Sequence, residues 1–308
     1  WRENPMADDK KSITEEAKAR YEAAKSAYAS TRAQAVEDTK FALGDSDNNW
    51  QWPERERQGR VNAQKVCLTV NLTAQHCNQI INNIRQNRPQ CRVLPVDNGA
   101  DKKTAEILAG LIRNIQSSSN ADEAHDTAAE HSIYGGEGYW RILTEYESER
   151  SFKQRIRIAT IPNPQMVYID PSAKELDRSD ADWCFIFEDI TKEQCKREHK
   201  GIDPASWESE PTGWVSEDSV RRAEYFYAEY PKGKRTIFWA KMNGVEWLDP
   251  PQEWDGHYIP LICVTGNEFN IGGQRVFEGL VQPSESPCLM LDYTVSWMAE
   301  KMGLSTMA

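Results

Sequence analysis

The chain has 308 residues, a net charge of -11, 39% hydrophobic and 28% charged residues, and a mean hydropathy of -0.73. That length suffices for two domains or one large irregular one with a proper core, while the low apolar fraction and the 11 tryptophans place aromatics at contacts rather than in one deep core. Acid is concentrated between Ser172 and Tyr230, where 15 Asp and Glu stand against 8 Lys and Arg, which argues against a protein that grips duplex phosphates with a basic stripe.

Trp1 to Lys11 is charged and unpatterned. Ser12-Ile-Thr-Glu15 spells a capping box and predicts a helix to about Leu43, with Ala17, Tyr21, Ala24, Tyr28 and Ala35 on one weak stripe. Gly44 to Pro53 reads as a loop. Leu68 to Arg88 carries a helical face at Val70, Ala74, Cys77, Ile81 and Ile84, closed by Pro89. A strand at Cys91 to Val96 and a turn at Asp97-Asn-Gly99 follow. Ala105, Leu108, Ile112 and Ile115 mark a third helix, interrupted at Ser117 to Asn120 and resumed to Ile133, where Gly135, Gly136 and Gly138 end it.

From there the pattern turns to β. Tyr139 to Tyr146 and Phe152 to Ile161 read as strands, and Pro162-Asn-Pro164 forces an exit from the sheet before Met166 to Asp170 resumes it. Trp183 to Ile190 is a compact apolar strand, Thr191 to Lys200 a short polar helix, and Gly201 to Gly213 the best boundary in the chain. Val220 to Tyr230 and Lys234 to Met242 form a hairpin. Tyr258 to Thr265 is another strand, Gly266 to Gly279 a loop, and a last helix starts near Pro287. Helices first and mixed strands later give an α+β fold.

Seven cysteines, odd in number and widely spaced, read as reduced and mostly buried thiols rather than a secreted disulfide framework. Neither a signal peptide nor an apolar run of about 18 residues is present, so the Asn71-Leu-Thr73 sequon carries no meaning and the chain reads as folded in a cytoplasm.

Several constellations invite chemistry. Asp122-Glu-Ala-His125 spells a helicase motif, but it sits in a polar helix and no phosphate-cradling glycine loop exists; Gly135-Gly-Glu-Gly138 follows a helix instead of opening one. Asp122, Asp126 and Glu130 lie at i, i+4 and i+8 with His125 beside them. A carboxylate metal site would need matching acids from partner helices, so a solvated acidic face is the reading kept. Zinc at Cys67, His76, Cys77 and Cys91, or at Cys195 and His199, lacks the paired-cysteine spacing. No cofactor and no resident metal are expected. Lys232, Lys234 and Arg235 form a small basic tip on the hairpin. In the last helix Leu291, Val295, Met298 and Met302 make an apolar seam, with Asp292, Ser296 and Glu300 opposite.

Certain pieces recur in a recognisable order: Gly44-Asp45 with Trp52-Pro53, a helix closing on Asn87-Arg88-Pro89, Gly136-Glu-Gly-Tyr-Trp-Arg141, Pro162-Asn-Pro164 with Tyr168-Ile-Asp-Pro171, and Ala223-Glu-Tyr225. From about Ala17 to the end, their order and spacing resemble the portal protein of short-tailed bacteriophages. The resemblance implies a structural subunit of a dodecameric ring at one capsid vertex, a conduit for DNA packaging and ejection. Its implied partners are the terminase packaging motor, tail adaptors, capsid and scaffolding proteins, and duplex DNA passing without sequence-specific binding, in a virion assembled in the host cytoplasm. The implied organisation is a helical arm at 1–50, a wing-like domain at 51–213, a clip-like region at 214–280 and the start of a stem helix at 281–308, in a subunit that continues further. On this reading Asp292, Ser296 and Glu300 face the channel, where an acidic wall lets DNA slide, and Lys232, Lys234 and Arg235 meet the motor or tail. The second reading is a metal-dependent enzyme of nucleic-acid metabolism using the acidic face around Asp126, and a third is a non-viral scaffold.

Overall fold

The computed structural model describes residues 7–44, 50–88, 90–95, 102–148, 150–199, 219–243 and 247–305. Contacts divide the chain into two discontinuous units, one of Trp1–Ala29 with Asn163–Ile262 and one of Ser30–Pro162 with Cys263–Ala308. This division does not follow the four consecutive segments expected from the sequence. The Gly201 to Gly213 connection and the turn at 97–99 lie outside the described residues, but the strands on either side of the former pair within one sheet.

The first unit is a five-stranded antiparallel sheet in the order β3 (Val167–Ile169), β4 (Trp183–Thr191), β5 (Ser219–Glu229), β6 (Thr236–Met242) and β7 (Trp247–Trp254), with a short helix α6 (Lys192–Glu198) after β4. Side chains on a strand alternate between faces, so Trp183, Phe185 and Phe187 of β4 share a face with Ala223, Tyr225 and Tyr227 of β5. Residues up to Ala29 of the helix α1 (Ala7–Leu43) cover that face. Ala17 and Ala24 are wholly buried, and their small side chains let the helix settle on the rings while Tyr21 and Tyr28 pack beside them. Phe185 stacks on Tyr225 at 4.5 Å, Tyr225 on Tyr227 at 5.0 Å and Tyr227 on Phe238 at 5.5 Å. The Arg20 guanidinium donates to the Tyr225 hydroxyl at 2.6 Å, which satisfies the one polar atom of a buried ring.

One expectation changes here, and one strand was not anticipated. The helix α1 begins before Ser12, so the capping-box residues lie inside it. β7 contains Pro250 and Pro251, which read against a strand, yet it is an edge strand with a register shift against β6, the setting in which a missing N–H is tolerated.

The second unit holds the remainder of α1, then α2 (Glu54–Asn62), α3 (Leu72–Gln86), α4 (Lys102–Ser118), α5 (Ala121–Gly135), β1 (Glu137–Tyr146), β2 (Gln154–Thr160), β9 (Asn267–Ile271), β10 (Gln274–Glu278) and α7 (Gln282–Ser305), while β8 (Leu261–Thr265) lies at the unit boundary. The sheet order is β2-β1-β8. Phe41, Ala42, Cys77, Ile81, Ile133, Val281 and Cys288 form its core cluster. Helix α5 ends on Gly136, whose φ of 87° is the left-handed cap expected of glycine. Gly138 does something else: it lies in β1, where a Cβ would come within 1.9 Å of the Ala128 carbonyl oxygen, so it permits the strand to lie against the helix it follows.

Other differences are local. α2 was not anticipated, since its ERERQGRVN sequence buries nothing. α3 starts at Leu72, capped by the Asn71 side chain accepting from the Ala74 N–H at 3.0 Å, and residues 65–71 form neither helix nor strand. Residues 91–95 form no strand, as they meet no ladder partner among the described residues. The supposed loop after Gly266 is the β9–β10 hairpin, closed by Gly272-Gly273 with φ of 61° and 85°, so glycines taken as loop residues are its two-residue turn. α7 starts at Gln282 and absorbs Pro287 in its second turn, where the carbonyl left free belongs to exposed Pro283.

Candidate functional site

The acidic face of α5 is not open. Arg88 pairs with Asp122 through Nη1 and with Asp126 through Nη2 at 2.6 Å. Arg85 reaches Asp126 at 3.5 Å and Glu130 at 3.2 Å. Two guanidiniums from the end of α3 thus bridge all three carboxylates, and Asp126, the shared one, is the most enclosed with a side chain 16% exposed. Such a network is worth little per exposed pair, about 0–1 kcal/mol, and its function is to fix α3 against α5. His125 turns edge-on to Trp140 at 4.8 Å. Burial lowers its pKa although Asp122 and Asp126 pull the other way. Among the described residues no three His, Cys, Asp or Glu side chains group to hold a metal. Arg85 and Arg88 were in view as the end of a helix; their pairing with an acidic face some forty residues on was not.

Helix α7 faces the reverse of the expected way. Asp292 and Ser296 have no exposed surface, whereas Met290 is 72% and Met302 70% exposed, with Trp297 and Met298 also in solvent. The polar residues are turned inward because the segment before α3, which is neither helix nor strand, offers the backbone N–H groups of Leu68 and Val70 to them. Val70 N–H donates to Asp292 Oδ1 at 2.7 Å and Leu68 N–H to Ser296 Oγ at 2.9 Å. The spacing fits: two residues of chain span up to about 6.7 Å and four residues of α-helix about 6 Å, so polar side chains at i and i+4 meet N–H groups at j and j−2. The stripe continues at the same interval, with Cys288 Sγ 3.1 Å from Thr73 Oγ1 and Glu300 paired with Arg60. Burial raises the Asp292 carboxyl above the usual carboxylate range, only partly offset by the Val70 N–H. The expectation that Asp292, Ser296 and Glu300 face an open passage therefore does not fit this chain: the first two have no surface to offer, and the third is held by a guanidinium.

The basic tip divides. The Arg235 guanidinium donates to the Ser179 carbonyl at 2.8 Å and to the Ala181 carbonyl, so it ties down the 170–182 loop. Lys232, with φ of 54°, and Lys234 are exposed on the short turn Pro231–Gly233. The cysteines are free thiols, five of them buried, with Cys67 half-buried and Cys91 exposed, and burial raises the pKa of Cys77 and Cys195, the opposite of activation. No described helix is long and apolar enough to cross a membrane.

A family model described as Phage P22-like portal protein matches residues 18–238 and 229–307. A curated relative, the "Portal protein" of Acyrthosiphon pisum secondary endosymbiont phage 1, is 25% identical over 285 residues, covering 75% of this chain and 39% of the relative. The chain thus spans 39% of the length of the relative it matches.

Proposed function

The chain belongs to the phage P22-like portal protein family, and from that premise we propose that it is a structural subunit of a ring at one capsid vertex and not an enzyme. The family match along almost the whole chain carries this reading. The α5 geometry supports it: the face that carries a metal-site pattern in the sequence is bridged by Arg85 and Arg88. In the proposed ring, twelve copies surround a passage through which duplex DNA is packaged and ejected, while a separate terminase ATPase supplies the work. Capsid and scaffolding proteins hold the ring, in a virion assembled in the host cytoplasm. Helix α7 is proposed to begin the stem, with exposed Met298 and Met302 meeting a neighbouring subunit. Lys232 and Lys234 are proposed contacts for the motor or tail adaptors, without Arg235.

Electron microscopy of the purified complete protein tests this directly. Closed rings with a central opening are expected, since a heterologous contact closes only at one rotation. A complete protein that sediments only as a monomer at high concentration, with no rings on the grid, overturns it.

A further inference from the structure

A pocket in the second unit is lined by Gln34, Glu37, Phe41, Trp50, Gln51 and Glu285, and by Glu54, which Arg57 engages at 3.0 Å. Asp38, 2% exposed, neighbours the Glu285 carboxyl, and Gln34 donates to Asp38 at 2.7 Å. Two touching carboxyl groups do not both stay charged without a cation between or beside them. The other charged groups acting most on this pair, Glu37 and Glu278, are acidic as well, and Glu37 is itself engaged by Lys40 at 2.8 Å.

A second observation points the same way. Gln51 is 1% exposed and donates its Nε2 to the Phe41 carbonyl at 2.8 Å, but its Oε1 is buried without a partner. A buried acceptor left unpaired is unfavourable, so this wall lacks a donor. The pocket therefore combines surplus negative charge, a vacant amide acceptor and two aromatic rings, Phe41 and partly exposed Trp50.

We propose that this pocket receives the guanidinium of an arginine side chain presented by a partner polypeptide. A guanidinium brings five in-plane donors and a fixed charge, satisfies a carboxylate and an amide oxygen together, and stacks on aromatic faces. The same unit already does this internally, with the Arg60 guanidinium 5.2 Å over the Trp52 ring. Burial raises the Asp38 and Glu285 carboxyls, so at low pH a proton takes the place the cation would fill. Binding therefore tightens as pH rises through the raised carboxylate range and the shared proton is released.

The test uses the whole chain labelled with 5-fluorotryptophan, the Trp50 signal being assigned by its loss in Trp50→Phe. N-acetylargininamide is titrated against its neutral citrulline counterpart. A saturable Trp50 shift with the arginine probe is expected, tighter at higher pH and about tenfold or more weaker with citrulline. The double substitution Asp38→Asn, Glu285→Gln should abolish the shift while the unfolding transition remains cooperative; should that variant not fold, Glu285→Gln alone serves. Equal shifts with both probes, no saturable Trp50 shift, or a shift undiminished in the folded variant overturns the proposal. The readout does not depend on assembly, so its failure is separate from any failure to form rings.

Discussion

The helix α1 lays Ala17, Tyr21, Ala24 and Tyr28 on the aromatic face of a sheet, whereas α7 lays Asp292 and Ser296 on a stretch of backbone that is neither helix nor strand. In the first region the partner is a saturated ladder, whose N–H and C=O groups are already paired, so what it offers a helix is apolar area. In the second the partner is a single segment outside any ladder, and a helix that buried only Leu and Met there would strand the N–H groups of Leu68 and Val70. Which face of a helix turns inward is thus set by what its neighbour leaves unsatisfied, and the apolar stripe is decisive only where the neighbour's polar groups are already spent.

The sharpest way to break the comparison is to cut the apolar side. Phe185→Ala removes a fully buried ring that touches Tyr21, Phe187 and Tyr225, and a loss of about 3–5 kcal/mol is expected by chemical denaturation. A loss below 1 kcal/mol would mean that the rings do not carry this unit.

On the polar side Asp292→Ala should cost about 1–3 kcal/mol, because the Val70 N–H is left buried and unpaired. Asp292→Asn keeps an acceptor and removes the buried charge, so it should be neutral or stabilising at neutral pH. The sign follows from the raised carboxyl of Asp292: the folded state holds the proton more tightly than the unfolded one, so stability is greatest below the ordinary carboxylate pKa. It then declines as pH climbs toward the raised folded value. Denaturation across that range should show the decline in the parent and a flatter profile in Asp292→Asn. A parent profile that rises with pH at this site would reverse the assignment.

Ser296→Ala removes a single side-chain acceptor and should cost about 1 kcal/mol, with faster hydrogen exchange at the Leu68 amide as the local signature. The smallest effect belongs to the α3–α5 network. Arg88→Ala should cost about 1 kcal/mol or less and lose most of that difference in high salt; a larger, salt-independent loss would indicate a buried charge rather than a surface brace.

Much of the fold was legible for plain reasons. β4, β5 and β6 announce themselves through dense aromatic and β-branched runs, and the end of α5 through Gly136, because these signals act within a few residues of chain. The Gly272-Gly273 hairpin and the proline-bearing edge strand β7 were not legible, since the same residues make a loop or a strand according to whether a second strand lies alongside. The acidic face on α5 was seen correctly as a face and left without its partner, as nothing local to Arg85 or Arg88 indicates which helix they approach.

The sequence by itself determined the α+β character, the family resemblance and the stripe on α1, all of which follow from residue type at short spacing. Only the tertiary structure decided that Asp292 and Ser296 are buried, that the α5 carboxylates are bridged by Arg85 and Arg88, that Arg235 is an anchor rather than a free charge, and that Asp38 meets Glu285. Each of these depends on a donor or acceptor more than thirty residues away, with the pairs Asp38–Glu285 and Val70–Asp292 separated by most of the chain. A polar side chain's direction is fixed by such a partner, because the cost of leaving a buried polar group unpaired exceeds what periodicity contributes.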